Sequence, residues 1–140
     1  DRAAGLNNFA GIASTGMSLA FGSDAPVTAA RPWPMLRAAV HHHTPGSGIS
    51  PRAAFAAATR GAWRAGGVRD GLAGTLDPGA PASYAVWEAG ELVISAPKDS
   101  VQRWSTDPRS RVAPLPDLAP GTDDPVLVRS VHRGRIVYER

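Results

Sequence analysis

The residue best suited to chemistry is Asp24, in the run Phe21-Gly22-Ser23-Asp24-Ala25-Pro26-Val27. A carboxylate in such a loop can ligate a divalent metal, or take a proton from water and pass it on. The same residue type also caps turns through its side-chain oxygen, and the local sequence fits that role at least as well. Gly22 permits a tight exit from the preceding apolar run. Ser23 fits local hydrogen bonding better than substrate contact. His41-His42-His43 is the other conspicuous group. Consecutive helical residues point about 100° apart, so three in a row cannot converge on one ion. Histidine ligands on a helix are better placed at i and i+4. At a helix end these side chains also suit the dipole, which is the plainer reading. His132 reads as a surface residue.

Several elements must position these groups. Residues 6–17 read as a short helix, with Leu6, Phe9, Ile12 and Ala13 at helical spacing and Gly16 as a stop. Met17 to Phe21 is a short apolar run of the kind found in buried strands, so Asp24 lies three residues past a strand end. A second helix starts at Pro32, a residue tolerated in the first turn. It buries Trp33, Leu36 and Val40 and ends near His43, before the breaker run Thr44-Pro45-Gly46-Ser47-Gly48. Ser50-Pro51 caps and opens a third helix, with Phe55, Ala58, Thr59 and Ala62 as its stripe and Gly66-Gly67 as its end.

Beyond Asp70 the pattern changes to strands. Leu72–Leu76, Ser83–Trp87 and Glu91–Ser95 are candidates, with Asp77-Pro78-Gly79 as a turn between the first two. Val126–Val131 and Arg135–Tyr138 form a hairpin around Arg133-Gly134. Residues 97–125 carry six of the thirteen prolines and read as an irregular excursion over the surface. The chain therefore divides near residue 70, into residues 1–70 and residues 71–140. Trp33 and Trp63 are expected to pack between helix and core; Trp87 and Trp104 are expected to pack near the sheet.

Composition removes several function classes. The chain has no cysteine, so a metal site would need histidine or carboxylate ligands. No apolar run approaches the roughly 20 residues that cross a bilayer, so no membrane partner is expected. Lys98 is the single lysine, and the arginines are scattered without a basic stripe, which argues against nucleic acid. No leader is visible, and a cytoplasmic location is expected, although the lack of cysteine does not itself fix the compartment. The chain begins at Asp1, and one buried strand with three helices is a poor independent core; both observations lead us to expect a piece of a longer protein.

The ordered set of motifs resembles the amidohydrolase superfamily, and within it the amidohydrolase family 3 branch. Phe21-Gly22-Ser23-Asp24-Ala25-Pro26-Val27 is similar to the last barrel strand and its loop. Pro32-Trp33 with Leu36-Arg37-Ala38-Ala39-Val40 resembles the next helix, and Ile49-Ser50-Pro51 with Ala53-Ala54 resembles the one after it. Gly74-Thr75-Leu76-Asp77-Pro78-Gly79 with Pro81-Ala82 resembles the return into a β-sandwich, and Val131 to Tyr138 resembles its closing strands. The likeness covers about residues 6–95 and 126–140. Arg31 stands where the family usually has an Asp that caps the helix, and Ser83 where a sandwich strand usually has Asp.

The resemblance implies an α/β fold. Residues 1–70 would be the C-terminal end of a metal-dependent TIM barrel, and residues 71–140 would belong to a composite β-sandwich. It implies hydrolysis of a C–N bond, in an amide or a cyclic amide, by metal-activated water. Asp24 would be both metal ligand and general base. The cofactor would be a divalent metal, zinc by preference, completed by ligands outside this chain. Partners would be the N-terminal remainder of the same protein and a small-molecule amide; a homo-oligomer is left open. Catalytic zinc centres use at least three protein ligands and this chain offers one, so alone it would be inactive. The alternative is a non-catalytic structural or interaction module related to the amidohydrolases. A further one is a histidine-based metal-binding module at His41–His43.

Overall fold

Asn8 opens the first helix, α1 (Phe9–Ser14), by accepting the Gly11 N–H on its side-chain oxygen at 2.9 Å. The computed structural model describes residues 5–94 and 114–140. Helix α1 is shorter than the sequence pattern predicts. Asn7 takes a left-handed backbone (φ 56°), which keeps Leu6 outside the helix and exposed.

Residues 17–21 do not form the expected buried strand. The segment is extended, but Met17 is 58% exposed and the segment joins no ladder among the described residues. A strand needs a neighbour to take up its N–H and C=O groups. Here the Phe21 N–H instead donates to the Ala57 carbonyl at 3.1 Å, so the segment lies against a helix.

Helix α2 (Pro32–Val40) has proline in its first turn and buries Trp33, Leu36 and Ala39, with Val40 packed at the margin. Arg31 occupies the N-cap position without a side-chain cap bond. The last carbonyls of α2 are satisfied from outside the helix, the His41 N–H reaching Arg37 O at 2.8 Å and the Ile49 N–H reaching Ala39 O at 3.1 Å.

Ser50 caps α3 (Pro51–Ala56) by accepting the Ala53 N–H at 3.2 Å, as its place before Pro51 predicts. The helix then widens into a π-helical turn, Ala57–Gly61, and resumes as α4 (Ala62–Ala65). This interruption displaces the expected stripe. Ala54, Ala57 and Gly61 are the buried residues, whereas Phe55 lies at the edge and stacks on Trp33 with centroids 6.4 Å apart. Small side chains on the inner face let other backbone approach closely.

Residues 72–76 are a turn and not the predicted strand. The Asp70 carboxylate accepts the N–H groups of Leu72 and Ala73 at 2.9 and 2.8 Å, and the Thr75 N–H bonds back to Leu72 O at 3.0 Å. Those bonds use the donors that a ladder would need. The Asp77-Pro78-Gly79 turn is present, with the Ala80 N–H on Asp77 O at 3.0 Å.

The remaining strands make two small antiparallel sheets. Strand β1 (Tyr84–Glu88) pairs with β4 (Val126–His132), which pairs with β5 (Arg135–Glu139); β2 (Leu92–Val93) pairs with β3 (Leu115–Pro116). The β4–β5 hairpin turns on Arg133 (φ 48°) and Gly134 (φ 79°), the two left-handed residues that a type I′ turn requires. The chain is thus mixed helix and strand, in agreement with the expected class at that level.

The excursion also needs correction where it is described. Residues 114–125 do not lie wholly on the surface: Leu118 is 3% exposed and belongs to the core with Trp33, Leu36, Ala39 and Ala54. Trp87 packs edge-on to Trp33 at 5.5 Å, so the helices and the sheet share this core. Asp124 anchors the segment, meeting Arg37 at 2.7 Å and Arg31 at 2.8 Å. Arg31, unsuited to cap α2, is thereby used as an ion-pair partner. Residues 97–113, including Trp104, and Ser95 lie outside the described residues.

Candidate functional site

Asp24 stands at the exit of the extended segment, on an exposed loop, with a left-handed backbone at φ 53°. Aspartate tolerates this region better than most residues, yet holding it there still costs of order 1 kcal/mol. The loop is closed by backbone and by neighbours. The Val27 N–H donates to the Asp24 carbonyl at 2.9 Å, the Thr28 hydroxyl donates to the Ser23 carbonyl, and the Ala25–Pro26 peptide is cis.

The carboxylate itself takes no part in that closure. An Asx turn needs an N–H two residues on, and the residue there is Pro26, which has none. The next N–H, that of Val27, is already given to the Asp24 carbonyl. Two other loop aspartates show the contrast. Asp70 accepts from Leu72 and Ala73 through its side chain, and Asp117 accepts from Ala119 at 2.9 Å. Those N–H groups, Ala73 first and then Leu72, hold the Asp70 carboxyl below its ordinary value of 3.8. Asp24 and Asp70 are both loop aspartates; only Asp70 is used to build its own loop. The turn-capping reading of Asp24 is therefore set aside by its donors.

A cavity of about 290 Å³ opens beside Gly22, lined by Phe9, Phe21, Met35, His42 and His43 among others. Its wall is mostly aromatic and aliphatic, with the imidazoles as the polar part. The histidines do not gather into a ligand set. Helix α2 ends at Val40, His41 is its exposed C-cap, and the His42 and His43 rings stack at 4.3 Å. The Thr44 N–H donates to His42 Nδ1 at 3.0 Å, which leaves the ring proton on Nε2 and no free lone pair for a metal. Among the described residues, no group of three or more His, Asp or Glu side chains could hold a metal ion. Asp24 belongs to no such group, so a metal centre that used its carboxylate would need donors from outside the described residues.

The other singled-out residues lie away from Asp24. His132 is exposed at the end of β4, where its ring lies parallel to Trp63 at 6.4 Å. Ser83 accepts the Arg133 N–H at 3.0 Å and so supports the hairpin turn. Ser23 acts through its carbonyl. Sequence reasoning missed two features. One is Pro26, whose missing N–H was visible in the sequence. The other is the π-helical turn under the segment that leads to Asp24, for which Gly61 and Gly74 were the only visible traces. Among the described residues no helix is long and apolar enough to cross a membrane.

Comparison with known proteins gives one result. A family model described as an amidohydrolase family matches residues 1–138. No curated protein and no solved structure matches the chain.

Proposed function

This chain belongs to the amidohydrolase family, and on that premise we propose that it is the C-terminal part of a metal-dependent hydrolase with Asp24 as its proton acceptor. The observation that carries the reading is the free carboxylate of Asp24, held outward on a left-handed backbone by a loop that does not use it. In this reading residues 17–21 are the last strand of a barrel, and β1, β4 and β5 belong to a sandwich completed by the N-terminal remainder of the protein. That remainder would also supply the other metal ligands. A divalent metal, zinc by preference, would supply charge that lowers the pKa of a water toward neutrality.

The chain's own part is proton movement. Asp24 is exposed and free of protein hydrogen bonds among the described residues, so both oxygens are open to water and substrate. It would accept a proton from the attacking water and return it to the leaving nitrogen of an amide or cyclic amide. Such acid–base assistance contributes about 10²–10⁴ in rate. The loop backbone fixes where the carboxylate stands, because Val27 and Thr28 reach back across Pro26 to the carbonyls of Asp24 and Ser23.

The test is Asp24→Asn in the full-length protein, assayed with zinc on a linear amide (an N-acetylamino acid) and a cyclic one (hydantoin). Turnover should drop at least 100-fold, roughly the lower bound for a lost general base, while the melting temperature stays unchanged. Near-normal turnover by the variant would refute the assignment.

A further inference from the structure

We propose that the π-helical turn Ala57–Gly61 is the seat that positions the Asp24 segment, with Gly61 as its positioning residue; this rests on the catalytic reading of Asp24. Among the described residues the strand-like segment before Asp24 joins no ladder, and what this chain itself offers to set its height and angle is the helix behind it. Two backbone contacts do so, and both fall on the π turn. The Phe21 N–H donates to Ala57 O at 3.1 Å. A Cβ placed on Gly61 would lie 2.2 Å from Leu19 O and 3.3 Å from Leu19 C, so the two backbones touch there directly.

The π turn is itself held from its other side. Gly74 has φ +81°, and a Cβ on it would lie 2.8 Å from Arg60 N and 3.0 Å from Thr59 C. The turn at Gly74 belongs to the loop built on the Asp70 carboxylate. The π turn is therefore wedged between two backbone segments, one leading to Asp24 and one tied down by Asp70. Single π turns are uncommon inside α-helices and concentrate at functional sites. This one carries Ala57 and Gly61 four residues apart on the buried face, the smallest side chains available, where the segment comes closest.

The contact has a definite consequence. Relieving a 2.2 Å approach to the ordinary limit of just over 3 Å asks the Leu19 carbonyl to move by about 1 Å. Asp24 lies five residues further along the same backbone, past the Phe21–Ala57 bond. A misplacement of about 1 Å at a reacting group can lower the rate about 100-fold without altering the group itself.

The experiment uses the full-length protein with zinc, the same two amide probes, and amide hydrogen exchange at Phe21. Gly61→Ala should lower kcat about 100-fold with KM within about threefold, and it should speed exchange at Phe21. Gly66→Ala is the control: a Cβ there would sit 3.4 Å from Trp63 O, an ordinary contact, and kinetics and exchange should not change. A folded Gly61→Ala protein with kcat within threefold of the parent overturns the proposal. So does a parent Phe21 amide that exchanges as fast as exposed loop amides, a measurement that decides the matter even if Gly61→Ala does not fold. Loss in Asp24→Asn with normal Gly61→Ala kinetics removes the positioning role alone. Normal Asp24→Asn kinetics removes the catalytic reading on which it rests.

Discussion

Asp124 offers the most quantitative test of how the helices and the sheet are joined. It bridges Arg31 and Arg37, at 2.8 and 2.7 Å, from the segment just before β4. The two pairs differ in setting. The Arg37 and Asp124 side chains are 19% and 20% exposed, whereas Arg31 is 66% exposed. A largely desolvated hydrogen bond between charged groups contributes about 1.5–3 kcal/mol. An exposed pair contributes about 0–1 kcal/mol, and salt screens it. Arg37 also donates to Thr122 O at 3.1 Å and to its hydroxyl at 3.2 Å, so losing Asp124 leaves the guanidinium partly satisfied. That keeps the cost below the roughly 3–5 kcal/mol seen when a buried charge is left alone. Asp124→Ala should therefore destabilise by about 2–3 kcal/mol, read as a lower urea midpoint at unchanged slope. Double-mutant cycles divide the effect. Coupling of Arg37 with Asp124 should be about 1.5–2.5 kcal/mol and should survive 1 M salt. Coupling of Arg31 with Asp124 should stay below about 0.5 kcal/mol and vanish in salt. Equal couplings, or an Arg37 coupling below about 0.5 kcal/mol, would show that burial does not govern this cluster.

Two further outcomes follow from single hydrogen bonds. The Ala73 and Leu72 N–H groups lower the Asp70 pKa from 3.8 in the folded chain. Because the folded value is the lower one, the stabilisation is complete above about 3.8 and disappears as pH falls through the lowered value. Asp70→Ala should remove that part of the acid-side slope; an identical pH profile of the denaturation midpoint would contradict it. At His42, Nδ1 already accepts the Thr44 N–H at 3.0 Å, so any zinc affinity the protein has should be the same after His42→Ala. A tenfold loss of zinc affinity, measured by competition with a chelator, would count against that tautomer.

The parts of the fold that the sequence revealed are those set by local chemistry. Ser50-Pro51 had to open a helix, because a hydroxyl cap and a residue without an N–H satisfy the first turn together. Arg133-Gly134 had to turn a hairpin between two alternating runs. What failed depended on distant partners. Met17–Phe21 has strand composition, but composition cannot supply the neighbour that makes a strand. Leu72–Leu76 looked like a strand until Asp70 took its N–H groups. Residues 114–125 looked like surface because proline and charge dominate them. Leu118 and the Asp124 pairs decide otherwise: Leu118 packs with Trp33 and Leu36, and Asp124 meets Arg37 and Arg31, 87 and 93 residues away in the chain. The π turn left almost no trace, since alanine and arginine favour an α-helix and threonine is tolerated in one.

The candidate site was legible to a different degree, and the reason concerns donors more than motifs. An aspartate in a loop ordinarily stabilises the loop, which is the plainer account of any Gly-Ser-Asp run. That account makes a demand: an N–H two or three residues on must be free to give. After Asp70 the donors are Leu72 and Ala73, and after Asp117 the donor is Ala119; each is given to the carboxylate. After Asp24 the first donor is removed by Pro26 and the second is spent on the Asp24 carbonyl. The carboxylate is thus left over by the chemistry of its own loop. A carboxylate with no structural use in its loop, held on a left-handed backbone, is what the role proposed for Asp24 requires. Half of that inference needs only the letters Asp-Ala-Pro; the other half needs the Val27 hydrogen bond.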